Sequence, residues 1–131
     1  MITYQNILTS AILMVCEDES AECCEDYGAR APYLLATVCN ECLPLDTRYR
    51  ATQGASPAEK SIPCAVTMSE EFPLSSPFVP AVTYYLAAML ILEENEDLSD
   101  KLFSLYTDAI STLQMQLPAK VEGIKNRYPG V

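Results

Sequence analysis

Apolar and polar positions follow a helical rhythm almost from the first residue. Ile7, Leu8, Ala11, Ile12 and Val15 fall on one side of a 3.6-residue repeat. The spacing predicts a first helix from Thr3 to about Cys16, with Thr3 as its N-cap. The acidic run Glu17-Asp18-Glu19-Ser20 breaks it and brings negative charge to the start of the next helix, where the helix dipole favours it. Cys23, Cys24, Tyr27, Ala31, Leu34, Leu35, Val38 and Cys42 continue the rhythm and predict a second helix from about Ser20 to Leu43. Pro32 lacks an N–H and its ring crowds the preceding turn. A kink there is expected, or a break near Gly28 with Pro32 opening a new helix.

From Leu43 to Phe78 the rhythm is lost. Pro44, Pro57, Pro63, Pro73 and Pro77 interrupt the stretch, and residues 53–57 read as a surface loop. Ile62 to Met68 is at best an edge strand, because Pro63 cannot donate to a ladder. A third helix begins with Pro80 in its first turn and runs to about Glu94. It is apolar nearly all round, so it is central to a bundle or buries a face against another subunit. Ala87 and Ala88 let a neighbour approach closely. After a short acidic break, Leu98, Leu102, Leu105, Tyr106, Ala109, Leu113 and Leu117 form the stripe of a fourth helix. Asp97 is its expected cap, Asp100 lies in its first turn, and it ends before Pro118. The fold class expected is therefore mainly α: about four helices in two antiparallel pairs, with a long irregular central loop. The chain divides into a single helical domain over residues 1–118 and a C-terminal tail over 119–131.

Composition narrows the function. The 131 residues carry 18 acidic and 8 basic side chains, a formal net charge of −10. A sequence-independent nucleic-acid binder needs Lys and Arg to displace counterions from phosphates, so that class is disfavoured, and no sequence-specific reading is expected. Docking to an anionic membrane surface is disfavoured for the same reason. The N-terminus has no basic residue before its apolar run and reads as no secretion signal, and no apolar run is long enough to span a bilayer. Six cysteines without a signal point to a reducing cytosol. With no histidine, the commonest general base and metal ligand is missing.

Three constellations carry possible chemistry. Cys39-x-x-Cys42, with Cys16, Cys23 and Cys24 upstream, holds enough thiolates for a structural zinc. The pair sits inside a helical stripe, however, where free cysteine packs as a small hydrophobe, and no βαβ pattern supports a redox role. The cluster Glu93, Glu94, Glu96, Asp97 and Asp100 lacks the ligand spacing of a calcium loop and reads as a solvated helix junction. Tyr84, Tyr85 and Tyr106 stand on core-forming helices and read as core rather than as a base-stacking platform. Ser10, Ser104 and Ser111 have no His or nearby Lys to activate them. The expectation is a protein without catalytic activity and without cofactor or metal.

The order of parts resembles a family. The opening helix TYQNILTSAILMV is followed by an acidic turn and by the helix DYGARAPYLLATVCNEC, with Tyr27, Ala31, Leu34 and Leu35. A variable loop then closes on residues 68–74, MSEEFPL. Residues 82–90, VTYYLAAML, lead into the acidic break Glu93-Glu94-Asn95, and Tyr106 falls in the following helix. This arrangement resembles the small helical head–tail connector (adaptor) proteins of tailed bacteriophages and prophages. The resemblance covers most of the chain and carries no catalytic residue; the cysteines depart from it.

The resemblance implies a homo-oligomer that docks on the portal, offers a surface to tail-completion proteins and lets DNA pass. It implies a place in the virion, after assembly in the cytoplasm of the bacterial host. An acidic lumen would not hold the passing duplex. The interface expected on this reading comprises Tyr84, Tyr85 and Met89 on the third helix and Val121, Ile124 and Tyr128 in the tail, the locally basic part of the chain. The rival reading is a small acidic cytosolic adaptor or regulator that binds a basic protein through the third helix. A zinc module is the third.

Overall fold

Four helices carry most of residues 1–15, 23–57 and 61–117, the parts that the computed structural model describes. They are α1 (Tyr4–Val15), α2 (Cys23–Thr52), α3 (Phe78–Ile91) and α4 (Glu96–Gln116). The protein is mainly α, and among the described residues the only extended pairing is an isolated antiparallel bridge between Thr3 and Glu71. The segment from Ile62 to Met68 forms no strand. No helix among the described residues is long and apolar enough to cross a membrane.

α1 starts where its sequence predicts. The Asn6 amide donates to Thr3 Oγ1 at 3.3 Å, and Asn6 Oδ1 accepts from the Thr3 amide at 2.9 Å. This reciprocal cap satisfies donors that the first turn leaves open. Tyr4, Ile7, Leu8, Ala11 and Ile12 then face the core.

α2 departs from expectation. It is 30 residues long and passes through Gly28, Pro32 and Pro44 without a break, ending nine residues beyond Leu43. A proline inside a helix costs about 3 kcal/mol. Burying one large aliphatic side chain recovers about 1.5–3 kcal/mol, and Leu35, Val38 and Leu45 are all buried. Packing along one face therefore outweighs the local penalty. The stop signal is Gly54, at φ +70. Its amide donates to Ala51 O at 3.2 Å and that of Ala55 to Arg50 O at 2.8 Å, the paired bonds of a glycine-terminated helix.

α3 is the hub. It packs against α1, α2 and α4, and ten of its fourteen residues are buried. That accounts for an apolar surface with no polar side: three neighbours of its own chain surround it. α4 runs antiparallel to α3 across a short turn, where Ser99 Oγ donates to Ala88 O at 2.8 Å. Its cap is Asn95 rather than Asp97: the Leu98 amide donates to Asn95 Oδ1 at 3.1 Å. Glu96 and Asp97 occupy the first turn, where the helix dipole favours their charge. Arg30 ties α2 to the end of α3 through a bond to Met89 O at 2.9 Å, and the Tyr27 hydroxyl reaches Glu94 Oε2 at 3.0 Å.

Candidate functional site

The sequence-predicted interface residues take different positions. Tyr85 lies under α4, 9 % exposed, its ring centroid 5.2 Å from that of Tyr106. Edge-on ring packing of this kind holds α3 and α4 together, so Tyr85 presents little to a partner. Tyr84 and Met89 are half-buried and border the solvent. Val121, Ile124 and Tyr128 lie outside the described residues.

Apolar side chains missed as surface features lie on α4. Phe103 is 47 % exposed, Leu105 46 % and Met115 85 %. Leu102, Tyr106 and Leu113 form the buried stripe of the helix. At 100° per residue, Phe103 and Leu105 fall on opposite flanks of that stripe. Leu105 fits the sequence stripe yet stands at its margin, because a spacing of three from Leu102 does not separate a helix's centre from its edge.

The two thiols of the Cys39-x-x-Cys42 pair are embedded in the core. Cys39 and Cys42 are buried on α2, and Cys64 is exposed. Cys39 meets the Tyr4 hydroxyl, and Cys42 Sγ lies 4.0 Å from the Tyr106 hydroxyl. Burial first, then the neighbouring Cys42, pushes the Cys39 thiol up to about 12. Burial likewise pushes Cys42 up to about 11, against the opposing bond from Tyr106. Tyr4, Tyr85 and Tyr106 are raised too, by burial before any other cause. At neutral pH both thiols are protonated, so neither is an active nucleophile or a ready ligand. Among the described residues no three Cys, Asp or Glu side chains gather as a metal site. Cys16 and the side chains of Cys23 and Cys24 lie outside the described residues.

A buried ion pair organises the far end of α2. Asp46 is 0 % exposed; its Oδ2 accepts from Arg50 Nε at 2.8 Å and its Oδ1 from the Ser75 amide at 2.9 Å. Arg50 also donates to Pro73 O at 2.6 Å and Ser56 O at 3.5 Å. One helical turn thus grips both ends of the irregular stretch between α2 and α3. The signal was in the sequence, as Asp46 and Arg50 at i, i+4. A second helix that stops at Leu43 leaves the pair outside any helix, whereas α2 runs on to Thr52.

Beside this clamp lies a groove of about 660 Å³. Tyr4 and Phe72, whose ring centroids are 5.9 Å apart, line it together with Leu74. Pro57, Ile62 and Pro63 line it as well, and so do Glu70 and Glu71, which are exposed. The α1 end is tied in by backbone bonds: Tyr4 N to Glu70 O at 3.2 Å, Gln5 N to Met68 O at 2.9 Å and Phe72 N to Ile2 O at 2.7 Å. The groove is mixed in character, and its guanidinium is already engaged. It offers shape, an apolar lining and two carboxylates rather than an acid–base pair. Comparison with protein families, characterised proteins and solved structures finds no match.

Proposed function

We propose that this chain is a non-catalytic assembly protein, and more specifically a head–tail connector of a tailed phage or prophage that oligomerises below the portal. The observation that carries the assembly reading is the apolar character of both flanks of α4. That helix packs chiefly on α3 and leaves Phe103, Leu105 and Met115 in solvent. Neighbouring protomers on the two flanks of α4, one meeting Phe103 and the other Leu105, would cover apolar surface that water otherwise faces, and a ring supplies a neighbour on each side. The connector identity rests on the order of helices and on the Tyr84-Tyr85-Leu86-Ala87-Ala88 stretch.

The test is solution mass by light scattering, over a range of concentrations in reducing buffer, alone and with a cognate portal. A large discrete oligomer, or one templated by the portal, supports the reading. The double variant Phe103→Glu, Leu105→Glu then lowers the mass toward the monomer while leaving helix content unchanged. A monomer indifferent to the portal overturns it. That outcome favours the second reading, an acidic adaptor for a basic protein. The exposed turn carrying Glu93, Glu94, Glu96 and Asp97 supports that alternative.

A further inference from the structure

We infer that the groove beside the Asp46–Arg50 clamp is the seat of the chain's own C-terminal segment, residues 119–131. This stands apart from the assembly reading and needs no second copy.

Position comes first. Tyr106 of α4 lies level with Tyr85 of α3. From there the antiparallel helices run seven residues to Leu113 and seven back to Phe78. At about 1.5 Å per residue each path covers about 10 Å, so the last turn of α4 lies beside the first turn of α3. Phe78 follows Leu74, which lines the groove, by four residues. Tyr49, one residue before the clamp arginine, packs on Phe78 with ring centroids 6.3 Å apart. The C-terminal segment therefore leaves α4 at the groove's end of the molecule. Its 14 residues beyond Leu117 reach about 46 Å when extended, well over what the groove requires.

Charge points the same way. Residues 1–117 hold 17 acidic and 5 basic side chains, whereas 118–131 hold Lys120, Lys125 and Arg127 against Glu122 alone. Glu70 and Glu71 of the groove form no ion pair among the described residues. They face outward where Lys or Arg of the segment would meet them. Apolar matching follows: the segment carries Val121, Ile124 and Tyr128, and Phe72, Leu74, Ile62 and Pro63 of the groove lining would offer them cover. Tethering keeps the segment at an effective concentration in the millimolar range, so even weak contacts hold it.

The full chain provides its own probe, because Lys120, Lys125 and Arg127 are trypsin sites. We expect cleavage after them, followed by mass spectrometry, to be at least about 10-fold slower than in a free peptide spanning 114–131. Replacing Glu70→Gln and Glu71→Gln, whose exposed side chains form no hydrogen bond or ion pair among the described residues and whose backbone bonds the change leaves intact, speeds it about 3- to 30-fold, from two weak charge contacts. Ile124→Asp with Tyr128→Asp, outside the helical domain, brings it to the rate of the matching peptide. Cleavage of the wild-type segment at the peptide's rate overturns the proposal. So does protection unchanged in both variants. Protection that grows with protein concentration alongside a doubled mass overturns the intramolecular seat and assigns the groove to the segment of a second copy.

Discussion

α3 and the stretch that precedes it are held in place by opposite means. α3 is secured by area: Phe78, Val82, Leu86 and Leu90 are fully enclosed by three helices, with few directional bonds. Residues 53–57 and 61–77 are secured by direction: Asp46 and Arg50 reach Ser56, Pro73 and Ser75, backbone bonds tie Met68, Glu70 and Phe72 to the start of α1, and a few apolar anchors, Val66, Phe72 and Leu74, add to these. Area is shared among many contacts, so losing one residue weakens the whole fold by an amount set by its size. Direction rests on a few atoms, so losing one carboxylate releases a segment while the helices remain.

The largest expected effect is on the hub. Leu86→Ala removes a fully buried side chain from the centre of α3 and costs about 2–5 kcal/mol. Urea unfolding read by circular dichroism checks this; a loss below 1 kcal/mol would mean that α3 is not enclosed as described. Second is the clamp. Asp46→Ala removes an acceptor for a guanidinium and an amide, and costs about 2–3 kcal/mol. Hydrogen exchange should rise first over residues 61–75 rather than over α3. Uniform acceleration would erase the distinction between the two regions.

Alkaline pH sharpens the comparison from the hub's side. Cys39 and Cys42 have ordinary values near 9 and stand at about 12 and about 11 when folded. Folding favours their protonated forms, so this contribution is complete below pH 9 and is lost as pH rises toward those folded values. The loss is about 1.4 kcal/mol per pH unit for each thiol in that window. Tyr4, Tyr85 and Tyr106 are raised as well and add to the loss above pH 10. Unfolding midpoints measured from pH 7 to 11 should be flat at first and then fall, and Cys39→Ala should shallow the fall. At pH 7.5 the exposed Cys64 should react with a thiol reagent well before Cys39 and Cys42, which wait for unfolding. The smallest effect is at the α4 cap. Asn95→Ala costs about 1 kcal/mol, since one amide loses its acceptor at the helix end, and thermal unfolding detects it.

Periodicity by itself determined four helices and an α3 that is apolar nearly all round, and residue type marked the Thr3 cap; whether α3 is covered by its own chain or by a second subunit was left to the tertiary structure, which packs it among α1, α2 and α4. Side-chain spacing reports directly on which faces avoid water. It also determined that Cys39 and Cys42 belong to a packed face, since both fall on the α2 stripe. Three more things were decided only by the tertiary structure. α2 crosses two prolines because burial of Leu35, Val38 and Leu45 outweighs a local cost that propensity alone sees in full. The Asp46–Arg50 clamp exists because that longer helix meets Pro73 and Ser75, partners 23 and 29 residues away in sequence. Leu105 is left at the margin of α4, while Tyr85 is buried under Tyr106, because the direction from which a neighbour packs divides equally apolar positions into core and surface. Local sequence carries period and propensity; it does not carry the direction of the neighbour.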